Sequence, residues 1–306
     1  MFIMTSRPPL HYKRVLFVVA ILPMVFVAAH TLRHGDSQTI IQADLPQPRF
    51  RTIQLSDDVA VHLVWCQPHE LDRSKINQMN PDPSFFDPLP PLSQTNGFWI
   101  GQTEVSQAQW NEVARKSRFV LHKSLVGVRP EYLDLTGRNP MESCRVGDVE
   151  IFLTILNAVV TNLHFRLPTE KEWIFAGLAD QPPLDTNKVH LYAWAYENSG
   201  KKRLKNISEP AEAVLAGCAP HPVGTKYANA FGLYDMLGNV GEYCERQTEN
   251  GIQYVVCGGC WLDPLVACSV FNRLELEMPY EDFADSTTGF RIVAEELVSL
   301  STGDNP

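Results

Sequence analysis

Basic residues are in short supply. Lys and Arg number 26 against 35 Asp and Glu, for a formal net charge of −9. That balance argues against a nucleic-acid surface, which needs clustered cations to displace counterions. Seven cysteines in 306 residues are too sparse for a disulfide scaffold, so a folded core must carry the stability. Their odd number leaves at least one thiol unpaired. The histidines His62, His69, His122, His164, His190 and His221 are scattered without the spacing of metal ligands and read as surface or satisfied core residues. No internal repeat is visible. No apolar run reaches the ~20 residues that span a bilayer comfortably.

What is present is an ordinary globular composition, 44% hydrophobic and 20% charged, long enough for one large domain or two small ones. The longest apolar run is Val15 to Ala29, interrupted by Pro23 and preceded by Arg7, His11, Lys13 and Arg14. Basic residues before an apolar run hold that flank in the cytoplasm and send the rest of the chain across. Residues 1–14 are therefore expected to be a cytoplasmic flank and 15–32 a single-pass signal anchor, with the C-terminal domain periplasmic or extracellular. The other reading is a signal peptide cut after Val27-Ala28-Ala29, giving a secreted protein. Residues 33–49, polar and ending near Pro46 and Pro48, read as a linker.

Thr52 to Trp65 alternates around Val59, Val61, Leu63 and Trp65 and predicts a half-buried strand. Pro68 to Leu92, with Pro81, Pro83, Pro88, Pro90 and Pro91, predicts a long surface loop. Phe98 to Gly101 reads as a strand, and Ser106 as the N-cap of a helix over Gln107 to Arg115. A second helix is expected from Val149 to Leu163, with Ile151, Phe152, Ile155, Leu156 and Val159 on its apolar face. Thr169 and Glu172 form a capping box for a short helix in Arg166 to Ala179. Short strands and turns follow. One α+β domain over 50–296, with a tail at 297–306, accounts for the pattern. Glu104, Arg166, Glu170, Glu172 and Arg291 interrupt apolar stretches; such charges survive in a core only when paired, and they read as scaffold.

Four blocks follow in order: GFWIGQTEVSQAQW from Gly97, RLPTEKEWIFAG from Arg166, NAFGLYDMLGNVGEYC from Asn229, and GGCW from Gly258 with TGFRIV from Thr288. Together they resemble the formylglycine-generating enzyme (sulfatase-modifying factor) family. The resemblance implies the complex C-type-lectin-like α+β fold of that family. Gly258, Gly259 and Trp261 have a reading without it, as a close backbone approach with a core indole beside it.

The resemblance also implies a calcium site from the Asp235 side chain, the Gly238 and Val240 carbonyls and Glu242, an oxygen set suited to calcium. The plainer reading is a turn capped by Asp235 with Glu242 in solvent. A second family site would use Asn206 and the Ile207 carbonyl with a downstream aspartate that AVLAGCAPHPVG lacks. The family's oxidase holds copper(I) on two cysteines five residues apart, after a Gly-Gly-Ser motif, and converts a substrate cysteine to formylglycine. Here those cysteine positions are Asp263 and Cys268. The motif serine is Cys260, the arginine after the first cysteine is Pro264, and the family tryptophan is Gly241. The cysteine pair that would hold copper is thus broken at Asp263. Relatives that oxidise sulfur with iron carry a helical bundle for which nothing between Gly35 and Phe50 has room.

Cys257 and Cys260 form a C-x-x-C, close in sequence to Cys268. It reads as structural thiols, a local disulfide, or thiol and soft-metal chemistry. The leading expectation is a calcium-stabilised binding or accessory module on the outer face of a membrane, with loops such as Pro68 to Leu92 and Pro264 to Thr288 presented to a protein, peptide or glycan. The alternative is a formylglycine-type oxidoreductase or another thiol- or metal-dependent enzyme using Cys257, Cys260 or Cys268. Glu275, Glu277, Glu281, Asp282 and Asp285, with Asp263, could instead form an acidic groove or a solvated face.

Overall fold

A computed structural model describes residues 49–70, 93–94, 96–116, 130–179, 186–200, 217–276 and 283–297. The chain divides into two units, Met1–Leu45 and Pro46–Pro306. All described residues belong to the second. The basic flank, the anchor, nearly all of the linker, most of Pro68 to Leu92, Asn206, Ile207, Glu277, Glu281 and Asp282 lie outside them. Among the described residues no helix is long and apolar enough to cross a membrane.

The first strands are β1 (Phe50–Gln54) and β2 (Ala60–Cys66), followed by the two-residue pair β3 (His69–Glu70) and β4 (Ser93–Gln94), then β5 (Phe98–Gly101). The single strand expected over Thr52 to Trp65 is in fact the β1–β2 hairpin. Its turn closes with the Leu55 and Ser56 N–H groups donating to the Val59 carbonyl, because Asp57 and Asp58 are better placed in a turn than in a ladder.

Helix α1 (Gln107–Lys116) opens on Ser106. Its hydroxyl accepts from the Gln109 N–H at 3.3 Å while Gln109 returns a bond to the Ser106 N–H at 2.9 Å, a reciprocal cap. Helix α2 (Val146–Val159) begins and ends about one turn before the expected span. Asp148 caps the Arg145 N–H at 3.0 Å, and Val160 is already extended, which leaves Val159 exposed. Strand β6 (Leu163–Arg166) and helix α3 (Glu170–Leu178) follow. The Thr169–Glu172 capping box is formed, at 3.2 and 2.8 Å.

After a 3-10 turn (Thr186–Leu191) come β7 (Ala193–Trp194), β8 (Leu237–Gly238), β9 (Gly241–Thr248), β10 (Gly251–Cys257), β11 (Arg273–Glu275), β12 (Thr288–Gly289) and β13 (Val293–Glu296). A five-stranded sheet runs β1-β2-β5-β13-β6 and a four-stranded one β11-β10-β9-β12. Side chains on alternating positions of the first sheet enter two different cores. Leu63, Trp99 and Ala294 join Phe152, Leu156 and other residues of α1 and α2. Val64, Ile100 and Val293 join Trp173 and Phe175 of α3 together with Cys244 and Val255 of β9 and β10. Covering both faces explains why FWIG is apolar at every position and fully buried.

Candidate functional site

Between the two sheets lies a buried polar centre. Asp235 (φ 55°), Gly238 (φ 73°) and Asn239 (φ 59°) are all left-handed, and this tight winding turns the β8–β9 corner inward. Arg291, immediately before β13, is fully buried and bidentate on Glu242, Nε to Oε2 at 2.6 Å and Nη2 to Oε1 at 2.7 Å. It also donates to the Gly101 and Tyr234 carbonyls, each at 2.9 Å. The Trp173 indole donates to Glu242 at 2.7 Å. Glu104 accepts from Asn239 Nδ2 at 2.9 Å and from the Val240 N–H at 3.1 Å. Asp235 accepts from the Gly224 N–H at 2.6 Å, and its Oδ1 is buried with no hydrogen-bond partner. Other charges set in apolar stretches are ion-paired, Arg166 with Glu172 and Glu295 and Glu170 with Arg246 and Arg273, while the buried Glu142 accepts from the Tyr132 N–H at 2.8 Å and from the Ser143 hydroxyl.

Three carboxyls therefore share one guanidinium. Burial, then Asp235 and Glu242, raise Glu104 well above the usual carboxylate range. Burial and, secondarily, Glu242 push Asp235 up to about 6 against the pull of the Gly224 N–H and Arg291. An acid whose folded pKa exceeds its unfolded one binds a proton on folding. Its contribution favours the native state at low pH and is lost as pH rises through about 6. The unfolding free energy is expected to fall between about pH 4 and pH 6, by at most roughly 1.4 kcal/mol per unit from this group, and to level off above the folded pKa. The Asp235→Asn profile should be flatter across that window. A wild-type profile already flat there in denaturant titrations would remove Asp235 as a buried acid.

The implied calcium set can be tested against this geometry. The Asp235 Oδ1 suits a cation, but both oxygens of Glu242 already serve Arg291, and Oε2 also serves Trp173. A metal would have to compete with a buried guanidinium for the same carboxylate, so the set as a whole does not fit. The plainer reading is also incomplete, because Glu242 is 1% exposed rather than solvated. Calcium and a chelator are expected to give the same thermal midpoint; a calcium-dependent rise abolished by Asp235→Asn would restore the ligand set.

The second part of the site is the loop after β10. Gly258 and Gly259 both have positive φ, and they swing the chain so that Cys257 and Cys260 enter different surroundings. Cys257 lies in the core with Cys244, whose pKa is raised well up by burial and then by Cys257. Cys260 faces Asp263, whose Oδ2 accepts from the Cys260 N–H at 3.0 Å and thiol at 3.2 Å. The two thiols of the C-x-x-C thus do not converge on each other. All seven cysteines are buried thiols. Cys268 donates to the Cys260 carbonyl at 3.7 Å; burial, then Asp263 and Cys260, push its pKa well up. Cys260, Asp263 and Cys268 are therefore brought together. Trp261 anchors the loop, its N–H on the Asn239 carbonyl at 2.7 Å and its indole on the Ser286 carbonyl at 2.9 Å.

Copper(I) takes two soft thiolates. Here one position is a carboxylate engaged in its own turn and the other a buried thiol whose pKa burial pushes well up, so the donors do not fit that ion. Among the described residues no group of three or more His, Cys, Asp or Glu is arranged to hold a metal. Asn239 and Trp173 are centre residues that sequence reasoning missed; Asn beside Gly in GNVGEY was a signal for a left-handed turn, whereas nothing local marks Trp173.

A family model described as the sulfatase-modifying factor enzyme 1-like domain matches residues 76–296. The β1–β2 hairpin precedes that match yet pairs through β2 with β5. Chaperone protein LppX of Paenibacillus barcinonensis is 30% identical over 60% of this chain and 73% of its own length. Three solved structures share the fold. Variable protein 1 of Treponema denticola has 20% identity, 81% of this chain and 99% of that one covered, and a TM-score of 0.54. PvdO from Pseudomonas aeruginosa has 18% identity, 81% and 98% covered, and a TM-score of 0.55. CarF has 18% identity, 77% and 98% covered, and a TM-score of 0.50.

Proposed function

We propose, from the premise that the chain belongs to the sulfatase-modifying factor enzyme 1-like domain family, that it is an exported binding or accessory module which does not form formylglycine. The observation that carries this reading is the carboxylate at the first cysteine position. Asp263 is built into the loop as a hydrogen-bond acceptor for Cys260, so the residue replacing a metal ligand has a structural task. Cys268 alone, buried and with its pKa raised, is a poor nucleophile and a poor ligand, since both roles need the thiolate. The surrounding scaffold of Arg291, Glu242, Trp173 and Trp261 is intact, and loops on a rigid frame are where recognition resides. A relative named as a chaperone is consistent with an accessory role.

The test is incubation of the purified chain with copper(I), oxygen and a peptide carrying a sulfatase-type cysteine motif, followed by mass spectrometry. No aldehyde is expected. Aldehyde formation that disappears in Cys268→Ser would refute the reading. A thiol-dependent enzyme has one feature in its favour, the grouping of Cys260, Asp263 and Cys268; the raised Cys268 thiol weighs against it.

The location proposed with this role is the outer face of a membrane, through the basic flank and apolar segment before His30, uncleaved or cleaved. An alkaline phosphatase fusion after Gln47 is expected to be active, and an inactive fusion would put the domain in the cytoplasm.

A further inference from the structure

The two edges of the five-stranded sheet are finished differently. At one side lies β6, whose outward backbone is sealed: Asn157 of α2 donates to the Phe165 carbonyl at 2.9 Å and accepts from the Phe165 N–H at 2.7 Å. At the other side lies β1. The Trp65 N–H donates to the Arg49 carbonyl at 2.9 Å, so Arg51 and Ile53 are the positions of β1 that bond to β2. His62, opposite Thr52, gives its carbonyl to the Gln102 N–H at 2.8 Å, on the side of β5. The N–H and C=O groups of Phe50, Thr52 and Gln54 therefore point away from the sheet.

This edge lacks the usual protection of lysines, prolines and bulges. No Lys or Pro lies in β1, and its register with β2 runs unbroken from Phe50 to Gln54. The one charge in the strand, Arg51, is turned back onto Glu296 at 3.0 Å. Phe50, Thr52 and Gln54 are all exposed, and among the described residues no backbone group bonds to their outer side. The two ends of the edge differ in sign. Arg49 is exposed, with its guanidinium 5.3 Å from the Trp65 ring centre and 5.7 Å from that of Trp99. Asp57 and Asp58 are exposed in the hairpin turn, and among the described residues neither they nor Arg49 form an ion pair.

We propose that a second copy of the chain pairs with this edge, β1 against β1, antiparallel about a two-fold axis at Thr52. Only outward-pointing residues can exchange hydrogen bonds across the new ladder. Setting Thr52 opposite its counterpart places Phe50 opposite Gln54 and engages all three outward positions, with a Thr–Thr pair at the centre. The same register runs the Arg49 end of each strand toward the Asp57 and Asp58 end of the other, so the complementary charges meet twice, as an isologous contact requires. A foreign strand of one charge sign would suit one end and meet its own sign at the other. The contact is small, with five residues of strand a side, which puts the dimer in the weak, reversible class. The net charge of −9 on each copy opposes it at long range, a repulsion that physiological salt screens beyond about 8 Å.

The full chain in a density-matched detergent at physiological salt is followed by sedimentation equilibrium up to several hundred micromolar. A monomer–dimer equilibrium is expected, weakened about tenfold or more by Thr52→Pro. That substitution deletes an outward N–H and no β1–β2 bond, and proline is accepted on sheet edges, so the thermal midpoint of the monomer should stay near that of wild type. Arg49→Asp should weaken the dimer as well, and adding Asp57→Arg and Asp58→Arg to it should restore association, which a merely damaged strand would not show. Amide exchange by NMR needs no substitution: Phe50, Thr52 and Gln54 should gain protection as the dimer forms, while Arg51 and Ile53 are protected throughout. A monomer at every concentration, a dimer indifferent to Thr52→Pro, or unchanged exchange at Thr52 on dimerisation overturns the proposal. Protection of the same three amides by an added synthetic Thr-Glu-Val repeat peptide, with the chain monomeric throughout, would assign the edge to a foreign strand and overturn the second copy.

Discussion

Replacing Arg291 by Met is expected to lower the unfolding free energy by about 3–5 kcal/mol, the usual cost of removing one partner of a buried ion pair. The substitution strips Glu242 of two hydrogen bonds and the Gly101 and Tyr234 carbonyls of one each. It also takes the guanidinium away from Glu104, Asp235 and Glu242, all 2% exposed or less, leaving Asp235 the pull of Lys226. Counting charges makes the expectation asymmetric. Glu242→Gln should cost less, because the guanidinium keeps Glu104 and Asp235 as neighbours, and the double variant should be milder than the sum of the two. Arg291→Lys should recover little, since an ammonium cannot reproduce the planar two-point contact. Denaturant titration of the four variants and the wild type decides it; an Arg291→Met variant within about 0.5 kcal/mol of wild type would mean that the centre does not hold the sheets together.

Gly238→Ala should be nearly as damaging. An alanine Cβ there would stand 2.2 Å from the Trp194 carbonyl oxygen, on a residue with φ 73°. Left-handed strain alone costs about 1–2 kcal/mol, and the carbonyl cannot retreat freely because the Asn239 N–H holds it at 2.8 Å and β7 pairs with β8. A total loss above about 3 kcal/mol is expected, in the range of the severest single-site effects. Gly251→Ala is the matched control: its φ is 117° but nothing lies within 4 Å of the added carbon, so it reports strain without collision. Equal losses at the two positions in thermal unfolding would show that the β7–β8 contact is not tight.

Much of the frame was legible in the chain because its signals are local. Thr169 and Glu172 mark a helix start whatever surrounds them, and Ser106 does the same for α1. The β1–β2 hairpin was not separated from one long strand, since alternation continues through it and the two aspartates of its turn fit either pattern. Val159 was placed on the buried face of α2 by periodicity, yet the helix ends there and the residue is 40% exposed. Periodicity states which positions share a face but not where the helix stops.

The candidate site divides in the same way. That Arg291, Glu104, Glu170 and Arg166 must have partners followed from the cost of an unpaired charge in an apolar stretch; which partner each has did not. Arg291 meets Glu242 across 49 positions, and Glu104 meets Asn239 across 135. The C-x-x-C spacing placed two thiols close together, but the Gly258-Gly259 turn sends them into different surroundings. By itself the sequence determined the helix starts, the apolar faces and the family, all of which reside in residue identity and short-range spacing. Only the tertiary structure decided that Glu242 serves a guanidinium and that Asp263 ties its own loop. Those outcomes depend on which distant segments share a buried volume, where each donor settles on the nearest acceptor that burial leaves available.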